Sequence, residues 1–462
     1  MFKCSARKLP SPTGWCALAI FVLAFLMRLG YLAIYGGLDS QLYDSFGDQY
    51  IYLDLGRNLA AGNGFVVSGE TWVARPGMPT SIFPPLYPIV VGVSFVVFGD
   101  SFVPLRLLNV LLSSIVAVVA YSMGRSLFGD VVGFISGVVV ALYPTHIMYT
   151  RPLMSEGIFY PLVTSLVYLS ILLVKDRCSL IWYAAWGVIA GLGVLTRSEV
   201  LFLVVLLALY IAYQNVRTGY PVLAPMLTGV LVALVVLSPY MVYNYVNHGR
   251  ITFLPNAKWK LWDHTQWWEL RRQPEWRNVE LPERRFVPDW YSKSEVERDD
   301  YLGNSAIKWI VQNPTSFAIQ RVQRLHFSYP ILPREELNPP IGTKGRDLEP
   351  GGRKYGPTSL DDVVHYITPA EKLRVWLFRL AFLLALVGGI AILVKRLWIA
   401  VVVLIPLIWN IFHSMAFVGS ERIRVQIDVF LFILSAYALV CIWSWVRTVL
   451  LRRFKADLLG AD

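Results

Sequence analysis

Long apolar runs constrain this chain more than any other feature of its sequence. Several runs reach about 20 residues, the length at which an α-helix crosses the hydrocarbon core of a bilayer. Charged residues make up only 16% of the chain, whereas soluble domains contain about 25%. The sequence therefore predicts an all-α multi-pass membrane protein.

The positions of Lys and Arg set the predicted topology, because cytoplasmic loops retain positive charge. The segment 82–98 is short and contains Pro84, Pro85 and Pro88. Counting it as a span would place Arg125 and Lys175 outside, so a re-entrant or interfacial segment is favoured. Ten spans remain, with both termini inside: 17–37, 104–124, 131–149, 154–174, 180–196, 200–214, 222–245, 373–394, 398–417 and 425–446.

This topology divides the chain into three regions. Residues 1–245 form an N-terminal transmembrane catalytic module that includes a first outer loop, 38–103. Residues 246–371 form a large loop region on the outer face, and 372–462 form the C-terminal transmembrane helices and a basic cytoplasmic tail. The large loop holds 18 basic and 17 acidic residues. The net charge of +11 thus reflects topology and attraction to anionic lipids, and nucleic acid is not expected as a partner.

Other common functional signatures are lacking in the sequence. Its four cysteines neither suggest a disulfide framework nor form a metal-spaced cluster. Neither a dinucleotide-binding glycine motif nor a P-loop is present. Residues 258–291 are rich in Trp, which favours an anchor at the membrane interface over a platform for sugars.

The first outer loop carries an unusual concentration of acids close to a span. From Asp48 the apolar residues Tyr52, Leu55 and Leu59 recur at helical spacing, and the pattern stops at 62–64, Gly-Asn-Gly. The prediction is a short interfacial helix with Asp48 at its N-terminus. Helix capping and a functional role are both open for this carboxylate at this stage.

Charged groups recur at the other ends of spans that the topology places outside. Acids there can act as general bases or metal ligands, and arginines can bind phosphate through two parallel hydrogen bonds. The corresponding inner ends are basic with few acids, so chemistry is expected on the outer face. The outer segments are 149–156, 196–199, 244–248 and 419–424.

These segments resemble parts of the GT-C glycosyltransferases, in particular the branch of protein O-mannosyltransferases and lipid A aminoarabinose transferases. The matching pieces cover nearly the whole chain in order. Besides Asp48 and Tyr52 they are FPPLYP at 83–88, GRSLFG at 124–129, LMSEGIF at 153–159, GLGVLTRSE at 191–199, PYMVYNYVNHG at 239–249 and SERIRVQID at 420–428.

The resemblance implies a GT-C fold with about ten transmembrane helices, and interfacial juxtamembrane helices in the first outer loop. It also implies a polyprenyl-phosphate sugar donor, a lipid, glycan or protein acceptor, and a bacterial inner membrane with the active site outside. The key Asp of the family falls on Asp48. A second acid matches Glu156, where relatives carry Asp, and a basic residue matches Arg197. Some relatives bind a divalent metal, whose ligands do not map onto this chain, so metal dependence is open.

The chemistry of a phosphate leaving group extends this set of residues. Cations rather than a strong acid are needed beside it, and Arg197, Arg422 and Arg424 are the candidates. Asp48 is the expected base and Tyr52 a supporting residue, while Glu421 is expected to pair with a neighbouring Arg. The main alternative is a transporter or flippase of a lipid-linked glycan. A transporter, however, would need ionisable groups near the midplane, where this chain has Arg28 alone.

Overall fold

A computed structural model describes residues 11–35, 37–39, 47–176, 179–253, 258–270, 273–276, 279, 282–329, 369–416 and 421–459. These residues are almost entirely helical, with only isolated β-bridges among them. The α-helices in chain order are α1 Ser11–Ile34, α2 Gly47–Ala60, α3 Leu86–Phe98, α4 Val103–Phe128, α5 Asp130–Leu142, α6 Pro144–Met148, α7 Glu156–Asp176, α8 Leu180–Thr196, α9 Val200–Arg217, α10 Leu223–His248, α11 Lys258–Asp263, α12 Gln266–Leu270, α13 Pro282–Phe286, α14 Glu295–Gln312, α15 Pro314–Ser328, α16 Pro369–Val394, α17 Leu404–Ala416, α18 Glu421–Val425 and α19 Asp428–Leu459.

Eight helical segments in the described residues are long and apolar enough to cross a membrane. Each coincides with one of the ten predicted spans. The two remaining predicted spans coincide with the shorter apolar helices α5 and α8. The prediction of an all-α, multi-pass membrane protein is confirmed.

The predicted span 131–149 is wrong as a single helix. The chain breaks at Tyr143, whose ψ of 121° is extended, and α6 begins at Pro144. Proline disfavours helical backbone in the residue before it and has no N–H to donate. The side chain of Arg28 caps the C-terminal end of α5, because it donates to the carbonyls of Val140 and Ala141 at 3.2 and 3.1 Å.

The first outer loop packs as a pair of helices, α2 on α3. A Cβ on Gly56 would lie 2.3 Å from Val91 Cγ1, so only glycine allows this close approach. The predicted helix from Asp48 is confirmed as α2. At 13 residues α3 is shorter than a span, and its outward face exposes Val93, Val96 and Phe98. These features are those predicted for an interfacial segment at 82–98.

The segments that connect the long helices gather at two opposite ends of the bundle. At one end, Lys175 donates to the carbonyl of Ser126 and Gln214 donates to that of Trp398. The other end, here called the site rim, holds the N-termini of α2 and α7, the α8–α9 turn and α18. Ten alternating spans predict this same division of the segments.

The described residues between 258 and 329, which belong to the large loop region, pack on the first outer loop at the site rim. Arg298 donates to the carbonyl of Val73 at 2.7 Å. The prediction of Trp residues anchored in the interface is wrong for Trp259, Trp262 and Trp290, which are buried in an apolar core of this region. Trp259 stacks on Trp72 of the first outer loop, with ring centroids 5.0 Å apart. The indole rings therefore join the two outer loops.

Candidate active site

Five charged side chains from four separate segments meet at the site rim. Asp48 comes from the start of α2 and Glu156 from the start of α7, which are far apart in sequence. Arg197 and Glu199 come from the turn between α8 and α9, and Arg422 comes from α18. We call these five residues the charge network.

The network alternates in sign, and each arginine bridges two carboxylates. Arg422 donates from Nη1 to Asp48 Oδ2 at 2.7 Å and from Nε to Glu156 Oε1. Arg197 donates from Nη1 to Glu156 Oε1 and from Nε to Glu199 Oε1, both at 2.7 Å. The three acids and two arginines of the network have a formal net charge of −1, and the positive charge of Lys260 acts on the Glu199 end of it.

The two carboxylates predicted to act in catalysis have different environments. The Glu156 side chain is 7% exposed and accepts from both arginines. The Asp48 side chain is 26% exposed and, among the described residues, accepts from Arg422 alone. Because Asp48 is more open and less neutralised, it is the better placed of the two to take a proton from a bound molecule.

Burial and charge fix the protonation of the neighbouring groups. Burial would raise the pKa of Glu199, but the guanidinium of Arg197, helped by Lys260 and His413, holds that pKa well below its usual range. Burial, and then the charge of Asp48, raise the pKa of Tyr52. Its phenol therefore stays protonated and donates to Ser155 Oγ at 3.1 Å.

Tyr52 supports the network through packing as well. Its ring stacks on Phe83 at a centroid distance of 4.3 Å and meets the edge of Tyr87 at 5.0 Å. Tyr52 thus ties α2 to the proline-rich segment before α3 and, through Ser155, to the start of α7. This contact fixes Asp48, one helical turn earlier, relative to Glu156.

Arg424 and Glu421, the other predicted site residues, stand outside the network in different ways. Arg424 is buried, pairs with Asp428 one turn further on at 3.3 Å, and lies 3.6 Å from the centre of the Phe378 ring. These contacts favour a structural role for Arg424. The side chain of Glu421 lies outside the described part of the structure.

The sequence analysis assigned no individual role to several other residues at this rim. Glu199, in the predicted outer segment 196–199, completes the network, and His413 Nε2 lies 3.9 Å from its carboxylate. A small cleft with a volume of about 20 Å³, which is room for about one water molecule, opens beside Glu156 and Arg422. Its other lining residues are Asn109, Ser113, His146, Tyr149, Thr150, Gly157, Tyr160, Val425 and Gln426.

Across the described ranges, no three His, Cys, Asp or Glu side chains are grouped so that they could hold a metal ion. Asp48 and Glu156 are instead bridged by the guanidinium of Arg422. Metal dependence therefore remains an open prediction.

The comparison with known proteins gave one family match. The family model described as dolichyl-phosphate-mannose-protein mannosyltransferase matches residues 83–243. This segment includes Glu156, Arg197 and Glu199 of the charge network. No curated protein matched the sequence. The family match confirms the resemblance predicted from the sequence motifs over the matched residues, 83–243.

Solved structures of similar arrangement were also found. ArnT from Cupriavidus metallidurans bound to undecaprenyl phosphate is 16% identical, with 93% of this chain and 78% of that chain covered and a TM-score of 0.40. The oligosaccharyltransferase of Archaeoglobus fulgidus in the apo form is 14% identical, with 96% and 52% covered and a TM-score of 0.49. The chain thus spans about half the length of that oligosaccharyltransferase. AglB from the same organism, in complex with an inhibitory peptide and a dolichol-phosphate, is 13% identical, with 96% and 52% covered and a TM-score of 0.46.

Proposed function

We propose that this chain is a GT-C glycosyltransferase that moves a sugar from a polyprenyl phosphate to an acceptor on the outer face of the membrane. The observation that carries the proposal is the charge network, which sets an open carboxylate next to a bridging guanidinium at the end of a membrane-spanning bundle. A lipid-linked phosphate lies at this depth, with its chain in the bilayer and its sugar in water.

The network supplies the groups that this transfer requires. The acceptor hydroxyl attacks the anomeric carbon of the sugar, and the bond from that carbon to the phosphate oxygen breaks. Asp48 takes the proton of the hydroxyl, and the bonding electrons leave with the phosphate as polyprenyl phosphate. Arg422, which already contacts Asp48, neutralises the charge that develops on the leaving oxygen.

Glu156 and Glu199 have a positioning role in this proposal. Arg197 is held between their carboxylates, and Glu156 also holds Arg422. A side chain locked by two charge-assisted hydrogen bonds loses little freedom when it binds its ligand. We expect Arg197 to orient Glu156, and through it Arg422, as well as to attract the donor phosphate.

Placement on the outer face is supported by the distribution of charge. The end of the bundle opposite the site rim carries Arg125, Lys175, Arg217 and Lys395. Such basic ends are retained in the cytoplasm. The site rim carries the large loop region, whose charges nearly balance.

The direct experiment is donor turnover by the purified protein in lipid nanodiscs. With undecaprenyl-phosphate-linked sugars as probes, the protein should release undecaprenyl phosphate and form a glycosylated acceptor when envelope lipids are added. A flippase would move the donor across the bilayer without breaking its phosphate bond. Movement without release, for every donor tried, would replace the proposed function with the flippase.

A labelling experiment tests the orientation. In a background without native cysteines, Val311→Cys on the exposed face of α14 should react with an impermeant thiol reagent in intact cells. Asp130→Cys, at the opposite end of the bundle, is the matched control and should react only after lysis. The reverse pattern would move the site rim to the cytoplasm and rule out transfer on the outer face.

A further inference from the structure

Trp72 connects two apolar cores that lie at the site rim. One core includes Tyr52 and Phe83 of the first outer loop, and the other includes Trp259 of the large loop region. The indole of Trp72 stacks on that of Trp259, with ring centroids 5.0 Å apart and an interplanar angle of 21°. It also meets the ring of Phe83 edge-on, at 5.7 Å and 90°. A single indole thus contacts an aromatic ring in each core.

The contacts of Trp72 continue to the start of α2, where Asp48 lies. Phe83 stacks on Tyr52 at a centroid distance of 4.3 Å, and Tyr52 follows Asp48 by one helical turn. Aromatic rings prefer defined offset or edge-to-face arrangements, so each contact restrains orientation as well as distance. A continuous set of rings therefore links the large loop region to the helix of Asp48. We call it the aromatic series, and its members are Trp259, Trp72, Phe83 and Tyr52.

The backbone of Trp72 has a conformation that is unfavourable for a residue with a side chain. Its φ of 34° lies in the left-handed region that favours glycine. Trp72 occupies the first central position of a two-residue turn, which Thr71 and Ala74 close through backbone hydrogen bonds of 3.2 and 2.7 Å. Residues with positive φ in such turns are usually Gly, Asn or Asp. The contacts of the indole, and not the turn itself, therefore explain a tryptophan at this position.

The large loop region also holds the turn of Trp72 through hydrogen bonds. Arg298, which is buried, donates to the carbonyl of Val73 at 2.7 Å. In the opposite sense, Arg75 donates to the carbonyl of Tyr291 at 2.8 Å. The position of the indole is thus fixed by the docking of one outer loop on the other.

We infer that Trp72 is a positioning residue for Asp48, and that it makes transfer depend on the docking of the large loop region. This inference rests on the proposed function, in which Asp48 takes the proton of the acceptor. Arg422 restrains one oxygen of that carboxylate, whereas the aromatic series restrains the helix that carries it. A displacement of about 1 Å can lower the rate of a positioned reaction by about 10²-fold. Trp72 acts through Tyr52 and has no contact with the reacting atoms.

Trp72→Leu should lower the turnover number by about 10–10²-fold and leave the inhibition constant of undecaprenyl phosphate unchanged. The variant keeps an apolar side chain on the same backbone, but it removes the ring that contacts Phe83 and Trp259. Trp72→Phe keeps a ring and should recover part of the turnover number. Both are measured in nanodiscs with the donor at saturation. A wild-type turnover number in Trp72→Leu, or no recovery in Trp72→Phe, would overturn the inference.

A double-mutant cycle tests whether Trp72 acts through Asp48. The residual turnover of Asp48→Asn no longer uses the carboxylate, so Trp72→Leu should have little further effect in that background. A loss by the same factor in both backgrounds would show that Trp72 acts independently of Asp48 and would overturn the inference. It would leave the proposed function intact, because that function depends on the loss caused by Asp48→Asn alone.

Trp267→Leu is the matched control in the large loop region. Trp267 packs against the core of that region and stacks on Trp262 at a centroid distance of 5.9 Å, but it is not a member of the aromatic series. The control should lower the melting temperature and keep a turnover number close to that of the wild type. An equal fall of the turnover number in Trp267→Leu and Trp72→Leu would assign the effect to the stability of the region and overturn the inference.

Amide hydrogen exchange tests the restraint on α2 without any need for turnover. Exchange at residues 48–55 should become faster in Trp72→Leu and stay unchanged in Trp267→Leu, because only the first variant interrupts the aromatic series. Unchanged exchange in Trp72→Leu would overturn the inference even if its turnover number fell. A wild-type protein that released no undecaprenyl phosphate would contradict the proposed function, and the exchange data would still decide whether Trp72 holds α2 in place.

Discussion

Asp48→Asn is expected to abolish most of the transfer activity without harm to the fold. The amide keeps the shape of the carboxylate, and its oxygen can still accept the hydrogen bond that Arg422 donates at 2.7 Å. It cannot accept a proton from the incoming hydroxyl. General-base catalysis contributes about 10²–10⁴-fold, so the turnover number should fall by that range. The measurement is the rate of undecaprenyl phosphate release at saturating donor, together with the melting temperature.

Asp54→Asn is the matched control for this prediction. Asp54 lies on the same helix, but its carboxylate accepts from the backbone N–H of Ser68 at 2.7 Å and has no contact with the charge network. The control should keep nearly full activity. Equal losses in both variants would mean that the loop requires only negative charge. A wild-type rate in Asp48→Asn would move the base elsewhere and would favour capping of α2 as the role of Asp48.

Local sequence patterns were sufficient to predict the helices that hold the site. The spacing of Tyr52, Leu55 and Leu59 predicted a helix from Asp48 to the glycines at 62–64, and α2 is Gly47–Ala60. Similarly, α14 ends at Gln312 and α15 begins at Pro314, because proline disfavours helical backbone in the residue before it. Both cases depend on interactions between residues close in sequence, which the sequence shows directly.

The pairing of charges could not be predicted in the same way. Alternating spans bring Glu156, Arg197 and Arg422 to one end of the bundle, but do not determine which groups touch. Arg422 and Glu156 are 266 positions apart. Arg424, two residues after Arg422, is directed instead into a buried pair with Asp428. The two arginines look equivalent in the sequence, but the packing of the helices places Arg422 in the charge network and Arg424 outside it.

Neutral polar residues at the site were missed because they lie at the ends of apolar runs, where such residues are common. His146 and Gln426 carry no charge that would make them conspicuous. For His146 the sequence did contain a signal, which is Pro144. A proline inside a predicted span indicates that the helix can break there, and the residues after the break can then be directed into the bundle. The burial of Gln426 follows only from tertiary packing, which sets it beside Asn109 and Glu156 in the lining of the cleft.

Arg422→Ala is the second substitution expected to have a large effect. The variant removes the cation that we propose lies next to the departing phosphate, and it leaves Asp48 without its partner among the described residues. Loss of a group that stabilises charge in the transition state typically costs about 10²–10³-fold. Arg422→Lys should recover only part of this activity, because an ammonium group cannot form the two parallel hydrogen bonds of a guanidinium. Arg197→Ala should follow the same direction with a smaller loss, since Arg422 still neutralises Glu156.

The inhibition constant of undecaprenyl phosphate separates phosphate binding from a structural role for Arg422. If Arg422 contacts the phosphate, its Ala variant should raise both the donor KM and this inhibition constant. If Arg422 only holds Asp48 and Glu156 in place, turnover falls while the inhibition constant stays the same. Arg57→Ala is the control, because Arg57 pairs with Asp100 on the exposed surface at 3.0 Å and such pairs contribute little. An unchanged inhibition constant in Arg422→Ala would therefore assign Arg422 to orientation of the carboxylates and leave Arg197 as the candidate for the phosphate.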